Sequence, residues 1–196
     1  MSDFQQSVVS ENPGMSGFTL HKTVAMVGMM GAGKTAVGRA LASRLGVAFI
    51  DSDAEIERAA NMSVPEIFSR DGEQFFRDKE TQVIERLLES APCILSTGGG
   101  AFLAERNRTA ITQRGISVWL DADIDLLWSR VRHKTTRPLL NTENPRATLG
   151  EIFDARVPIY ALADLAVTAD PAYAIEDMVD DVVRALLTRK DVLETS

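Results

Sequence analysis

A lysine and a threonine end a glycine-rich turn in the stretch AMVGMMGAGKTAVG, residues 25–38. From Gly28 to Thr35 the residues satisfy the spacing G-x-x-x-x-G-K-[ST]. Glycines let a backbone curl until several N–H groups point inward, and no side chain blocks an anion there. A helix that follows such a turn presents its positive N-terminus to the same anion. The chemistry is therefore phosphate binding. Lys34 can reach the β and γ phosphates of a nucleotide, and the Thr35 hydroxyl can bind Mg²⁺. Gly31, Ala32, Gly33, Lys34, Thr35 and Ala36 form the expected nucleotide-binding set. A GTPase switch, an ATP-driven motor and a small-molecule kinase all use such a loop. The chain has no N-K-x-D run of the kind expected in a guanine reader, and 196 residues leave little room for a motor. A kinase needs a second pocket for its acceptor.

Candidates for that pocket follow the next apolar runs. Asp51 and Asp53 flank Ser52 at the end of VAFIDSD. Two apart at a strand end, they are expected to project to the same side, where a cation would relieve their repulsion. Asp51 is the candidate support for Mg²⁺ through water, because Mg²⁺ sheds its hydration reluctantly. Asp53 can then accept the proton of an attacking hydroxyl, or it can cap the helix that follows. Gly98, Gly99 and Gly100 either expose backbone N–H groups to a small molecule or form a flexible turn. Arg77 and Glu80 stand three apart on one helix face, as a surface ion pair or as a carboxylate clamp oriented by Glu80. Arg156 is a second clamp candidate. Arg137 lies in a polar stretch where a closing loop could bring it onto phosphate. Arg130 or Arg132 reaches the adenine or phosphates, or is solvated on a helix surface.

Five short apolar runs, at 23–29, 47–53, 93–97, 117–122 and 165–169, alternate with helical patterns. Strands with so little polar alternation are covered on both faces. The pattern predicts an α/β fold, a doubly wound parallel sheet of five strands in three layers. Ligands in such sheets bind at the carboxyl ends of the strands, where the turn, the acidic pair and the glycine run all fall. Residues 133–147, polar and carrying two prolines, read as a mobile loop, and residues 1 to about 20 as a flexible tail.

Composition narrows the classes. Net charge is −7, which disfavours a general nucleic-acid surface. No apolar run approaches the roughly 18 residues that span a bilayer, and the N-terminus lacks the pattern of a signal peptide. Cys93, the one cysteine, sits in an apolar run and is expected as a buried thiol, which fits a cytoplasmic setting. One cysteine and two distant histidines give no zinc site. Nothing in the pattern demands a partner chain, so a monomer is expected.

Taken in order, GMMGAGKT, DSD at 51–53, FRDKE at 76–80, STGGGA at 96–101, RPLL at 137–140 and RVPIY at 156–160 resemble the shikimate kinase family, over residues 22–190. That resemblance implies the fold of nucleoside monophosphate kinases: one P-loop domain over 21–196, with a shikimate-binding region about 53–90 and a lid about 133–147. It implies transfer of the ATP γ-phosphate to the 3-hydroxyl of shikimate, with Mg²⁺ accompanying ATP. Asp53, Arg77, the glycine run with Gly99 central, and Arg156 would bind shikimate, with Asp53 also the base. Arg137 would be the lid arginine acting on ATP and Arg130 the arginine stacked on adenine. Another neighbour of the adenine is expected near Asp170 and Pro171.

Overall fold

In the computed structural model, residues 17–133 and 138–196 are described. Five strands form one parallel sheet: β2 (Val24–Val27), β3 (Phe49–Asp51), β4 (Ile94–Ser96), β5 (Ile116–Asp121) and β6 (Leu165–Thr168), in the order β3-β4-β2-β5-β6. The run that precedes the phosphate turn is thus the central strand. All four of its residues are buried, as they must be when a strand is covered on both faces. In register, Ala25 stands beside Leu95 of β4 and Ser117 of β5. The carboxyl ends of β3, β4 and β2 therefore lie side by side, and they carry the acidic pair, the glycine run and the phosphate turn.

Helices α1 (Lys34–Leu45) and α7 (Ile175–Leu187) pack on each other, while α3 (Val64–Leu88) packs on α2 (Ser52–Ala60) and α4 (Glu105–Arg114). The remaining helices are α5 (Ile124–Val131) and α6 (Pro145–Tyr160). α7 is strongly amphipathic: Met178, Val179, Val182, Val183 and Leu186 recur at helical spacing and are buried. A second, smaller core lies under α2 and α3, built on Ile56, Ile67, Phe76, Val83, Leu87, Cys93 and Leu95. Cys93 is a free, buried thiol whose pKa burial pushes up. It packs there as a small hydrophobe, as expected from its setting.

Within α3 the backbone leaves helical geometry at Gly72, whose φ is 83° and ψ 172°, so two helices meet there at a kink. Two expectations need correction. The helix α6 begins inside the stretch read as loop. Asn144 caps it, accepting from the Ala147 N–H at 3.1 Å, and Pro145 occupies the first helical position. A proline at that position loses no helical hydrogen bond, so it starts the helix rather than prolonging the loop. The tail boundary at residue 20 is also too late. Phe18–Leu20 (β1) pairs antiparallel with Leu193–Thr195 (β7). Beside this pair, Lys22 and Asp191 form an ion pair at 2.7 Å. Residues 1–16 of the expected tail lie outside the described residues.

The β1–β7 pair ties the two ends of the chain to the body through Leu193, which is fully buried in the main core. Leu193→Ala is expected to lower stability by about 2–4 kcal/mol, read from urea denaturation midpoints. A loss below about 0.5 kcal/mol would show that the pair decorates the core without belonging to it.

Candidate active site

The phosphate turn adopts the backbone that its residue types require. Gly31 has φ of 83°, and a Cβ there would meet Val131 Cγ1 at 2.7 Å. The turn is rigidly placed: the Arg130 Nη1 on α5 donates to the Gly31 and Ala32 carbonyls at 3.2 and 3.4 Å. Lys34, the first residue of α1, folds back and donates to the carbonyls of Gly28 and Met29 at 2.8 and 3.0 Å. A cleft of about 640 Å³ opens above. Its walls include Gly31 through Val37, Asp51, Asp53, Gly98, Gly99 and Arg130, with Tyr173, Ala174, Ile175 and Met178 beside them. Asp53, Gly98 and Gly99 of the expected acceptor set thus share one cavity with the phosphate turn and Arg130, whereas Arg77, Glu80, Gly100 and Arg156 do not line it.

Asp51 and Asp53 reach this cleft differently from the expectation. Asp51 is the last residue of β3 and caps α2, its Oδ1 accepting from the N–H groups of Asp53 and Ala54 at 3.0 and 3.2 Å. Asp53 is already in the first turn of α2. The acid at 51, not the one at 53, is therefore the cap. Helix geometry, not strand alternation, points Asp53 into the site.

Asp53 Oδ1 is buried without a hydrogen-bond partner. Burial first, and then the neighbouring Asp51 and Glu57 carboxylates, push its pKa up, while Lys34 and Arg77 pull it back down. A buried oxygen that lacks a partner is an exception that calls for an explanation. Here an acceptor stands ready in a cleft next to a phosphate turn. A carboxylate raised toward the working pH is also the better proton acceptor.

The glycine run explains how the other groups arrive. A Cβ at Gly98 would stand 2.8 Å from Asp53 Oδ1. One at Gly100 would stand 2.6 and 2.7 Å from the two terminal nitrogens of Arg77. One at Gly99 would touch Arg156 Nη1 at 3.6 Å. Each glycine thus borders one of the three predicted acceptor-binding side chains. At Gly98 and Gly100 a Cβ would force the Asp53 carboxylate or the Arg77 guanidinium to move. The run is a close-approach site and not a slack turn.

Arg77 is held for this position. Its Nη1 meets Glu80 Oε2 at 2.9 Å, and Glu73 lies 3.5 Å away. Glu80 is only 1% exposed, so the pair is not the solvated surface contact that its spacing alone allows. Burial pushes the Glu80 pKa up more than Arg77 pulls it down. A buried carboxylate that depends on one arginine restricts that arginine's rotamers.

Other residues of the site were not singled out from the sequence. The Gly98 N–H donates to Ser52 Oγ at 3.2 Å, and Ser52 is fully buried. Thr81 donates to Asn107 Oδ1 at 2.7 Å, and Asn107 Nδ2 donates to the Ala101 carbonyl at 2.8 Å, both side chains being buried. This pair joins α3, next to Glu80, to the turn that leaves the glycine run. The Tyr160 hydroxyl donates to the Gly99 carbonyl at 2.5 Å. Only Tyr160 carried a readable signal, four residues after Arg156 in RVPIY and so on the same helix face. Near the nucleotide end, Tyr173, Ala174 and Ile175, just beyond Asp170 and Pro171, line the cleft. Arg130 meets the cleft whereas Arg132 is exposed. Arg137 lies outside the described residues.

Comparison with known proteins places these features in company. A family model described as shikimate kinase matches residues 30–187. A shikimate kinase of Ruegeria pomeroyi is 71% identical, covering 90% of this chain and 91% of that protein. One of Cereibacter sphaeroides is 64% identical, covering 90% and 88%. Among solved structures, shikimate kinase from Acinetobacter baumannii in complex with shikimate superposes with a TM-score of 0.79 at 39% identity, covering 86% and 94%. A gluconokinase from Sinorhizobium meliloti, 18% identical with a TM-score of 0.56, shares the fold.

The orphaned Asp53 oxygen has a consequence for stability. A carboxyl whose folded pKa is raised binds its proton more tightly when folded, so stability falls as pH rises through the shifted range. Asp53→Asn is expected to stabilise the fold at pH 7 by about 1 kcal/mol. The advantage should vanish below the ordinary Asp value of 3.8, where both side chains are neutral. Denaturation midpoints across pH 3–8 check this. An Asn variant less stable than the parent at pH 7 would mean that the carboxylate is well satisfied.

Proposed function

The chain belongs to the shikimate kinase family, and from that premise we propose how its residues move the ATP γ-phosphate to the 3-hydroxyl of shikimate. The observation that carries the assignment of roles is the convergence of Asp53, Arg77 and Arg156 on Gly98–Gly100, beside the cleft that Lys34 enters. A base and two cations around a small patch of exposed backbone suit a compact hydroxylated carboxylic acid.

Phosphoryl transfer depends on in-line placement and charge neutralisation more than on covalent participation. The N–H groups of residues 31–36 and the Lys34 ammonium hold the β and γ phosphates. Tyr173, Ile175 and Met178 provide the apolar end of the cleft across from Arg130, which suits an adenine ring. Arg77 and Arg156 hold the acid's carboxylate, so that one hydroxyl faces the γ-phosphate. Asp53 accepts that hydroxyl's proton through the buried oxygen that has no hydrogen-bond partner among the described residues. Attack on phosphorus and loss of the proton leave the phosphate ester and ADP.

The donor set suits Mg²⁺. Thr35 and Asp51 line the same cleft, and a hard cation that keeps several waters needs only a hydroxyl, a carboxylate and phosphate oxygens. Thr35 would hold it directly and Asp51 through water. Bound there with ATP, it offsets negative charge on the phosphates.

Residues 53–90 are the acceptor region of this reading and 133–147 its lid, with Arg137 the arginine brought to ATP on closure. A monomer is the active unit of this reading. The single buried thiol suits the cytoplasm. Among the described residues no helix is long and apolar enough to cross a membrane.

A coupled assay of ADP release, run with shikimate, quinate, gluconate or no acceptor, tests the reading. Shikimate is expected to stimulate turnover by orders of magnitude over the others, and equal rates with gluconate would overturn the acceptor assignment. In the same assay Arg77→Ala should raise the shikimate KM at least about tenfold, the value of a lost charge-assisted hydrogen bond, with the ATP KM little changed. A matching rise in the ATP KM would remove Arg77 from the acceptor side.

A further inference from the structure

The Gly99 carbonyl accepts from two groups of α6. The Tyr160 hydroxyl donates at 2.5 Å and Arg156 Nη1 at 3.4 Å. The second distance is at the long limit for a hydrogen bond, so the phenol is the principal partner. Tyr160 is 1% exposed and packs in the main core. Burial raises its pKa, which keeps the hydroxyl protonated and a donor at neutral pH. Arg156 and Tyr160 are four residues apart, one turn of the same helix face. They share one acceptor, and the Arg156 guanidinium is also hydrogen-bonded to the Tyr160 oxygen.

Without the hydroxyl the guanidinium loses its hydrogen bond to the phenol oxygen. The half-buried Gly99 carbonyl would then keep, among the described residues, the guanidinium as its one side-chain donor. With a cationic donor and a carbonyl left to each other, the arginine would be drawn onto the protein's own backbone. The loop itself would stay anchored, because the Gly98 N–H donates to Ser52 and the Gly98 carbonyl accepts from Ala101 at 3.0 Å.

We propose that Tyr160 is a positioning residue: by occupying the Gly99 carbonyl, its hydroxyl leaves the Arg156 guanidinium aimed at the acceptor's carboxylate. The inference rests on the reading of Arg156 as a carboxylate clamp. It makes the last residue of α6 part of the acceptor site without any contact to the acceptor. It also ties that site to the helix that follows the lid.

Tyr160→Phe removes the hydroxyl and keeps the ring. With the full chain, steady-state kinetics are measured with shikimate and with an analogue whose carboxylate is replaced by hydroxymethyl. The shikimate KM is expected to rise about tenfold, one hydrogen bond's worth. kcat should stay within about threefold, and kcat/KM for the analogue should hardly move. In an Arg156→Ala background, Tyr160→Phe should add nothing, since the coupling runs through the arginine. An unchanged shikimate KM in Tyr160→Phe overturns the proposal. So does an equal fall in kcat/KM for both acceptors, the mark of general loosening. If Arg156→Ala itself leaves the shikimate KM unchanged, the clamp reading fails and the inference falls with it.

Discussion

A side chain at Gly98 or Gly100 would displace an Asp53 oxygen or the Arg77 guanidinium, which already stand within 2.8 and 2.6 Å of the added Cβ. This steric constraint organises the site. It brings a carboxylate from α2 and a cation from α3 onto three residues at the end of β4. The arginine of α6 borders the residue between them. Larger residues would push the Asp53 carboxylate and the arginine away from this backbone. Parallel order then does the rest. β4 lies between β3 and β2, so the glycine run is flanked by the acidic end of one strand and the phosphate turn of the other.

The same closeness has an energetic side. Asp53 and Glu80 are both carboxylates whose pKa burial raises. One is partnered by an arginine, and the other has a buried oxygen with no partner. Such groups destabilise a fold and persist at sites where a ligand completes them. The compensation comes from elsewhere: a central strand buried along its whole length, an amphipathic C-terminal helix and the pairing of the chain's two ends.

Local patterns made much of this readable. The phosphate turn is a property of eight consecutive residues. The glycine run and the Arg77–Glu80 spacing are equally compact. Their surroundings could not be read in the same way. Whether Arg77 and Glu80 formed a surface pair or an oriented clamp depended on the burial of Glu80, which α3 spacing alone does not determine. β1 and β7 are three residues each and lie at opposite ends of the chain. A pairing at that separation leaves no periodicity in either segment. Pro145 was ambiguous because proline both opens helices and interrupts them. Asn144 one residue earlier, with its side chain on the Ala147 N–H, decides for a helix start. Ser52, Asn107 and Tyr160 bond to backbone of other elements, and Thr81 to the Asn107 side chain; residue type alone marks none of them.

Calorimetric titration of Gly100→Ala with shikimate and, separately, with ATP tests the steric account most directly. The added methyl must displace the Arg77 guanidinium while leaving the phosphate turn untouched. Shikimate affinity is expected to fall at least about tenfold, the loss of one charge-assisted hydrogen bond, with ATP affinity unchanged. Shikimate binding at parental strength would contradict the account, and so would an equal loss for both ligands.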